Sequence, residues 1–430
     1  MNSRLPALGI AALILTDLVL AGGAPSSSTA PRAGSMLAPT GSMHVPRAVH
    51  TATLLPDGRV LVAGGMQKNG VFEDSAELYD PASGRFEMLP KLSSRRVGHS
   101  ATLLPSGRVL IVGGSAGRRF EGGRWIGDVV ATAELYDPAT HSFRSAGSMS
   151  APRAHQAAVR LADGRVLLAG GYNASSDALG SAEIYDPASG AFRATGSLKT
   201  PRTPDAAVLL KDGRVLIPGG SDASGSVLAS AEIYDPKTGS FSPAGEMIAA
   251  RRKHGGILLA SGRVLVVGGS DARDWSGQKT ETEIYDPAVN LFAPASSMAL
   301  RRFKLGSAVA MLLDGRVLVA GGAWAPELYD PARGRVPSGL GRLRSAALLR
   351  HGDHPRGRPR PDHRWLRNRH THRRPPLHER RLALHALTGR AARYRYQEPA
   401  RPRPLRRGAD EVGRRWWDAG DRRKKPWARG

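Results

Sequence analysis

The chain of 430 residues contains no cysteine. Disulfide bonds, thiolate nucleophiles and metal sites with cysteine ligands are therefore excluded. Long apolar runs are scarce as well. Segment 1–23, MNSRLPALGIAALILTDLVLAGG, resembles a secretory signal, although Asp17 interrupts its apolar run. It is too short to span a membrane, so we expect an exported mature chain without a transmembrane span, beginning with a flexible linker at 24–35.

Acidic residues are scarce in the C-terminal quarter of the chain. Residues 332–430 contain 29 Lys and Arg against 8 Asp and Glu, and so hold 21 of the 25 net positive charges. The sequence pI of 11.1 therefore reflects this tail, whereas the rest of the chain is nearly neutral.

Two short phrases recur six times between residues 36 and 331. The first ends in a glycine pair: GRVLVAGG (58–65), GRVLIVGG (107–114), GRVLLAGG (164–171), GRVLIPGG (213–220), GRVLVVGG (262–269) and GRVLVAGG (315–322). The second contains Tyr-Asp-Pro: AELYDP (76–81 and 133–138), AEIYDP (182–187 and 231–236), TEIYDP (282–287) and PELYDP (326–331). Successive glycine pairs are 49 to 57 residues apart, so one structural unit is repeated.

Each repeat predicts four short antiparallel strands. A run such as HSATLL (99–104) forms the first, the glycine phrase the second, the Tyr-Asp phrase the third, and a run such as RFEML (85–89) the fourth. Turns rich in Asp, Gly and Pro separate them. The second strand is apolar at successive positions, so both of its faces should be buried between two neighbouring sheets. Repeated four-stranded units of this length indicate a radial β-propeller.

The glycine pair, the Tyr-Asp-Pro phrase and a phenylalanine in most fourth strands resemble Kelch repeats. The phenylalanines are Phe86, Phe143, Phe192, Phe241 and Phe292, whereas many Kelch repeats carry Trp there. The resemblance implies an all-β, Kelch-type propeller of six recognisable four-stranded blades over residues 36–335. It also implies a comparison with Kelch-like galactose oxidases, whose Cys–Tyr copper centre this chain cannot form without cysteine.

The repeat ends at residue 335, and the tail 336–430 is rich in Arg, His and Pro. If its arginine codons are CGN, a one-base frame shift from His351 permits Thr-Ala-Thr-Ile-Leu-Ala-Asp-Gly-Arg-Val-Leu-Ile-Thr-Gly-Gly, which matches TATLLPDGRVLVAGG at 51–65. The shifted Trp416–Asp418 gives another glycine pair, one repeat length further on. We therefore interpret the tail as an out-of-frame reading of one or two further blades, and expect it to be disordered.

Two functional interpretations of the tail are weaker. A nucleic-acid arm would combine its arginines with Trp365, Trp416 and Trp417, but any disordered Arg-rich segment has this charge. Nucleic acid is therefore a disfavoured partner. The tail histidines fit no metal-ligand spacing, and we predict no metal site.

The N-terminal end of the repeat region contains a short segment that matches the end of a fourth strand. PTGSM (39–43) matches the ends of fourth strands, SAGSM (145–149) and ATGSL (194–198). We predict that residues 36–43 complete the sheet whose other strands lie furthest toward the C-terminus, which in this chain could be blade six. A six-bladed ring would then be possible in this chain, although we expect the intact gene to specify seven or eight blades.

Loop lengths point to one face of the propeller. The turns between strands one and two and between three and four share one face, the turn face, and are short and uniform. The loops between strands two and three and between successive blades share the other, the loop face, and the longest are 115–132 and 270–281. Recognition residues favour variable loops on rigid scaffolds. The candidates for ligand binding there are Arg119, Phe120, Arg124, Trp125 and Trp275; ordinary solvated loops are the alternative.

A basic residue lies eleven positions before the opening glycine of each glycine phrase. These residues are Arg47, Arg96, Arg153, Arg202, Arg251 and Lys304. A ring of cations at the mouth of the central channel could attract an anionic ligand. The alternative is structural, with each arginine satisfying backbone carbonyls between blades. A second set, the Arg that opens each second strand and the Asp that closes each third, predicts cross-strand ion pairs or turn caps.

No nucleophile–base spacing, phosphate loop or cofactor motif stands out, so no catalytic residue and no cofactor is predicted. Fold alone does not decide function. The leading hypothesis is a non-catalytic, exported, monomeric scaffold that binds an unknown protein or glycan on the loop face. A hydrolase or isomerase with its site at the channel mouth is the alternative.

Overall fold

A computed structural model describes residues 40–68, 70–121, 124–306, 308–323 and 325–334. The signal-like segment 1–23, the linker 24–35 and the tail 336–430 lie outside these residues, so the predictions made for them stay predictions. The described residues include no apolar helix of membrane-spanning length.

Short antiparallel strands make up nearly all of the secondary structure. The first thirteen are β1 (Thr51–Leu54), β2 (Val60–Ala63), β3 (Ala76–Asp80), β4 (Arg85–Met88), β5 (Ser100–Leu103), β6 (Val109–Val112), β7 (Ser115–Glu121), β8 (Arg124–Val129), β9 (Thr132–Asp137), β10 (Ser142–Ser148), β11 (Ala157–Arg160), β12 (Val166–Ala169) and β13 (Ala182–Asp186). They are followed by β14 (Ala191–Ala194), β15 (Val208–Leu209), β16 (Val215–Pro218), β17 (Ala231–Asp235), β18 (Ser240–Pro243), β19 (Gly255–Leu258), β20 (Val264–Val267), β21 (Thr282–Asp286), β22 (Leu291–Ala295), β23 (Val309–Met311), β24 (Val317–Val319) and β25 (Glu327–Tyr329). A 3-10 helix, Asp274–Ser276, lies between β20 and β21.

The strands form six successive sheets in a propeller, and this confirms the predicted all-β fold. Blades one to five have four strands each: β1–β4, then β5, β6, β9 and β10, then β11–β14, β15–β18 and β19–β22. Strands β23–β25 form the described part of blade six. Strands β7 and β8 form a separate hairpin between the second and third strands of blade two.

The second strand of each blade is buried on both faces, as its apolar run predicts. In blades two to five, one face packs on the preceding blade and the other on the following blade. Leu61 and Leu78 of blade one, for example, pack with Val109 and Ile111 of blade two in one core cluster. Each fully buried aliphatic side chain stabilises the fold by about 1.5–3 kcal/mol, so the blades stabilise one another.

The glycine pairs join neighbouring blades. The N–H of the second glycine donates to the carbonyl of the arginine that precedes strand one of the next blade. These bonds are Gly65 to Arg96 (2.8 Å), Gly114 to Arg153 (2.9 Å), Gly171 to Arg202 (3.0 Å), Gly220 to Arg251 (3.0 Å) and Gly269 to Arg302 (2.7 Å). The pair has positive φ angles, and a Cβ on the first glycine would clash with the same carbonyl.

The Arg–Asp prediction for the turn face is correct in one part and wrong in another. The third-strand aspartates do cap their turns; the Asp80 carboxylate, for example, accepts the N–H of Ala82 at 2.9 Å. Cross-strand ion pairing holds at Arg108 and Asp137, 2.8 Å apart. Four of the other five turns offer a nearer partner, the Asp two residues before the Arg, whereas the turn before Arg263 has Ser261 at that position. Four such pairs form: Arg59–Asp57, Arg165–Asp163, Arg214–Asp212 and Arg316–Asp314.

The N-terminal segment docks on blade one. The Gly41 N–H donates to the Gly84 carbonyl at 2.9 Å, and the hydroxyls of Thr40 and Tyr79 are 2.6 Å apart. The end of the fourth strand of blade three makes the same contacts with blade four. The match to fourth-strand ends is thus present in the structure, whereas pairing of this segment with blade six is not seen among the described residues and stays a prediction.

Candidate functional site

Six buried arginines lie between the blades, one at the start of each. They are Arg47, Arg96, Arg153, Arg202, Arg251 and Arg302, and they are 0–3% exposed. Arg202 is typical: its guanidinium donates to the carbonyls of Gly219 (3.1 Å) and Ser230 (2.8 Å) and to the Glu232 carboxylate (2.8 Å). The other five pair with Glu77, Glu134, Glu183, Glu283 and Glu327. These contacts match the structural alternative that the sequence left open for the arginines.

Sequence reasoning missed the glutamate partners, although the signal was present. A glutamate is the second residue of all six Tyr-Asp-Pro phrases. On a strand this places it beside the buried arginine in every blade. A charge that recurs at a position buried between sheets requires a partner, because an unpaired buried charge is strongly unfavourable.

The sixth position of this ring was predicted for Lys304, and that placement is wrong. Arg302 holds the position, with its Nε 3.0 Å from the Glu327 carboxylate. Blade six has two more residues than the other blades between this arginine and the glycine phrase, so counting back eleven positions reaches Lys304. Lys304 instead occupies the position two residues after the buried arginine.

That position has an unusual backbone conformation. Val49, His155, Lys253 and Lys304 follow their buried arginines by two residues and have φ angles of 53–58°. L-residues reach this left-handed region at a cost of about 1–2 kcal/mol each. Strained backbone conformations at residues other than glycine cluster at functional sites. The start of strand one is therefore a candidate functional position.

Trp275 and Lys304, both predicted as ligand-binding candidates, are brought together here. Trp275 lies on the 3-10 helix of blade five and is 67% exposed. Its ring meets the Phe303 ring edge-on, with centroids 4.6 Å apart. The Lys304 ammonium is 4.7 Å from the Trp275 ring centroid, within cation–π distance. The arrangement presents an indole face beside a positive charge on the loop face.

Lys253 links this aromatic pair to the next groups around the channel. Its ammonium is 2.6 Å from the Asp274 carboxylate, and the Arg252 guanidinium is 3.7 Å from the same carboxylate. Partial burial opposes ionisation of Asp274, but the hydrogen bond and charge of Lys253 hold its pKa below the usual value. Lys253 escaped notice in the sequence because its partners belong to other parts of the chain.

Two titratable groups near Lys253 have shifted pKa values. Burial raises the pKa of Asp205 to about 6, although the backbone N–H and the charge of Lys253 favour its ionised form. Desolvation and then the positive charge of Lys253 lower the pKa of His155. The His155 ring also stacks on Tyr172, with centroids 5.7 Å apart. We name Asp205, Lys253, Trp275 and Lys304 the mouth cluster.

The raised pKa of Asp205 predicts a pH-dependent stability. The folded protein binds this proton more tightly than the unfolded chain, so ionisation destabilises the fold as pH rises from about 4 to 6. We expect Asp205→Asn to match the parent chain at pH 3.5 and to exceed its unfolding free energy by about 3 kcal/mol at pH 7.5. Urea unfolding at both pH values measures the difference; an equal difference at both would contradict the shifted pKa.

The remaining sequence candidates lie on the hairpin of blade two. The backbone pairs Arg119 with Ile126, Phe120 with Trp125, and Glu121 with Arg124. The hairpin joins the second and third strands of its blade and so rises from the loop face. A Cβ on Gly127 would lie 3.5 Å from the Tyr172 ring, which places the base of the hairpin next to blade three. All the predicted loop candidates therefore lie on the same face as the mouth cluster.

The turn face offers a concavity without comparable chemistry. A cavity of about 400 Å³ is lined by turns of blades four and five, including Lys211, Asp212 and Arg263. The Asp212 carboxylate already pairs with Arg214. No described residues form a group of three or more His, Asp or Glu able to hold a metal ion.

Comparison with known proteins gives one family match. Residues 202–248, which include most of blade four, match the family described as the Kelch motif. No curated protein sequence matches the chain. Among solved structures, the chain is similar to one titled "Structure of YjhT", with a TM-score of 0.48 and 15% sequence identity over 59% of this chain and 86% of that chain.

Proposed function

We propose that the chain, a β-propeller in which residues 202–248 match the Kelch motif, is a binding scaffold that holds a protein or carbohydrate ligand on the loop face of the ring. The contact between Trp275 and Lys304 carries this proposal. Exposed Trp beside a cation is the composition of binding hot spots, because an indole offers a large rigid surface at small entropic cost.

The charge around the mouth cluster favours a ligand with an anionic group. Arg252, Lys253 and Lys304 carry three positive charges against the two carboxylates of Asp274 and Asp205. The buried arginines do not contribute to this excess, since each is paired with a glutamate. A sugar ring or an apolar side chain would lie against the Trp275 indole while a carboxylate of the ligand approaches Lys304. The hairpin of blade two would supply further contacts.

Export and a monomeric state are also part of the proposal. Export is supported by the signal-like segment 1–23 alone. A single ring whose ligand site lies on one face requires no second copy, and mass measurement in solution tests this.

Binding to polysaccharides tests the proposed site. We expect immobilised polygalacturonate to bind the protein more tightly than neutral dextran. Trp275→Ala should weaken binding by roughly 30-fold, the 2 kcal/mol typical of an aromatic hot spot. Lys304→Ala should cause a smaller loss that shrinks as salt concentration rises. Biolayer interferometry measures all three effects.

Leu313→Ala is the matched control, because Leu313 is 81% exposed but lies on the turn face. It should leave binding unchanged. If polygalacturonate does not bind, crosslinking to proteins of the culture supernatant provides the protein arm of the test. A ligand of either kind that Leu313→Ala weakens and Trp275→Ala leaves intact would contradict the proposed face.

The raised pKa of Asp205 favours a second candidate function, an enzyme whose active site lies at the channel mouth. A carboxyl group with a pKa of about 6 can exchange protons near neutral pH, as a general acid or base must. An isomerase or hydrolase acting on the bound ligand is the corresponding activity. Asp205→Asn would abolish such turnover while leaving binding intact, whereas a scaffold would show no turnover to lose.

A further inference from the structure

On the basis of the proposed function, we infer that His155 and Tyr172 form a second subsite beside the mouth cluster, and that the ligand is an acidic oligosaccharide instead of a single sugar. Both residues belong to blade three. Their rings stack, with centroids 5.7 Å apart and an angle of 20° between the two planes. The pair therefore adds a second aromatic surface to the one that Trp275 presents.

The blade fold does not require either of these side chains. His155 follows its buried arginine by two residues, where the other blades have Val49, Gly98, Pro204, Lys253 and Lys304. Tyr172 follows the glycine pair, where the other blades have Met66, Ser115, Ser221, Ser270 and Ala323. Core packing does not fix a position that six blades fill with unrelated side chains. The stacked pair is thus a feature of blade three alone, and it requires a local explanation.

The backbone holds the imidazole of His155 in one place. The residue has a left-handed φ angle of 53°, and its N–H donates to the Gly98 carbonyl at 2.7 Å. A Cβ on Gly98 would lie 2.5 Å from the His155 ring, so glycine in blade two leaves the room that the ring occupies. A side chain that is positioned in advance spares the ligand part of the entropic cost of binding.

The polar atoms of the pair are available to a ligand. Within the part of the chain that the structure describes, neither ring nitrogen of His155 and no hydroxyl of Tyr172 makes a hydrogen bond. His155 is exposed to solvent. The surrounding protein nevertheless desolvates its ring and, together with the charge of Lys253, lowers its pKa. A group that water reaches and protein surrounds lines a concave opening, and its neutral imidazole both donates and accepts hydrogen bonds.

Lys253 connects the stacked pair to the mouth cluster. Its charge acts on His155 of blade three and on Asp205 of blade four. Its ammonium lies 5.7 Å from the centroid of the Phe303 ring, which in turn meets Trp275 edge-on. Face-packed sheets are about 10 Å apart, and two such steps separate blade three from blade five. A ligand that touches both aromatic surfaces must therefore extend beyond one sugar ring.

The chemistry of this surface favours a sugar chain over a peptide. An apolar side chain placed on Tyr172 would cover the free hydroxyl and the imidazole nitrogens of His155 without offering them partners, which is unfavourable. Sugar hydroxyls offer such partners, while the C–H face of the sugar ring packs on an aromatic ring. The ammonium groups of Lys253 and Lys304 favour a chain that carries carboxylates.

Competition against immobilised polygalacturonate tests the second subsite. Galacturonate and linear tetragalacturonate are the soluble competitors, and biolayer interferometry measures the concentration at which each displaces the protein. We expect the tetramer to act at a concentration roughly 30-fold lower than the monomer, well above the roughly fourfold gain of four independent units. His155→Gly and Tyr172→Ser introduce residues that other blades have at these positions, so the fold accepts both. Each should weaken competition by the tetramer about tenfold and leave the monomer unchanged, whereas Trp275→Ala weakens both.

His141→Gly is the matched control, because His141 also has a φ angle of 53° but lies between β9 and β10 on the turn face. It should change neither competitor. If Trp275→Ala weakens both competitors while His155→Gly and Tyr172→Ser affect neither, or affect both equally, the second subsite is refuted and the proposed function stands. Unchanged competition in Trp275→Ala would refute the proposed site and the subsite with it. A tetraglutamate peptide that competes as well as tetragalacturonate would overturn the assignment to a sugar chain, as would a failure of polygalacturonate to bind.

Discussion

Arg202→Ala destabilises the protein by about 3–5 kcal/mol, because it leaves the Glu232 carboxylate buried without its counter-ion. Both side chains are almost wholly buried, at 0% and 3% exposure. The substitution also removes donors to the carbonyls of Gly219, which follows β16, and Ser230, which precedes β17. We therefore expect the largest loss of stability at Arg202, although an arginine would be expected on the surface from its charge alone. Urea unfolding followed by circular dichroism measures it.

Arg214→Ala is the control for this effect. Arg214 also pairs with a carboxylate, Asp212, at 2.7 Å, but the two side chains are 35% and 46% exposed. Solvent screens such a pair, and its loss costs at most about 1 kcal/mol. If Arg202→Ala proved no more harmful than Arg214→Ala, burial of the Arg–Glu pairs would not be a source of blade stability.

Gly220→Ala destabilises the protein by about 3 kcal/mol for two reasons. Gly220 has a φ angle of 94°, which is unfavourable for alanine. Its new Cβ would also lie 2.3 Å from the Thr203 carbonyl oxygen, and the backbone must shift to relieve this contact. Because the Gly220 N–H donates to Arg251 of blade five, the shift weakens the link between two blades.

Gly225→Ala separates the cost of the positive φ angle from the cost of the steric contact. Gly225 has a φ angle of 81°, but nothing lies within 4 Å of the Cβ that alanine would add. We expect this variant to lose only the cost of the left-handed conformation, about 1 kcal/mol. Thermal unfolding of both variants gives the difference. Equal losses would show that the close contact between residue 220 and the Thr203 carbonyl does not matter.

Most of the fold was predictable because the information is local and repeated. The glycine pair, the Asp-Gly turn and the Tyr-Asp-Pro phrase each specify a turn or a strand within a few residues, and six copies make the pattern unmistakable. Burial of the second strand on both faces followed from its apolar run alone. The ring position of Arg302 was misjudged because blade six contains two additional residues, and only the contact with Glu327 identifies the equivalent arginine.

The sequence by itself determined the repeat, the strand pattern and the face that carries the variable loops, since these depend on the order of neighbouring residues. Only the tertiary structure decided which charges are neutralised inside the blades and which remain at the channel mouth. Asp205, Lys253, Trp275 and Lys304 come from three different blades, and no spacing along the chain relates them. They meet because the sheets stack radially and bring the starts of their inner strands to one opening.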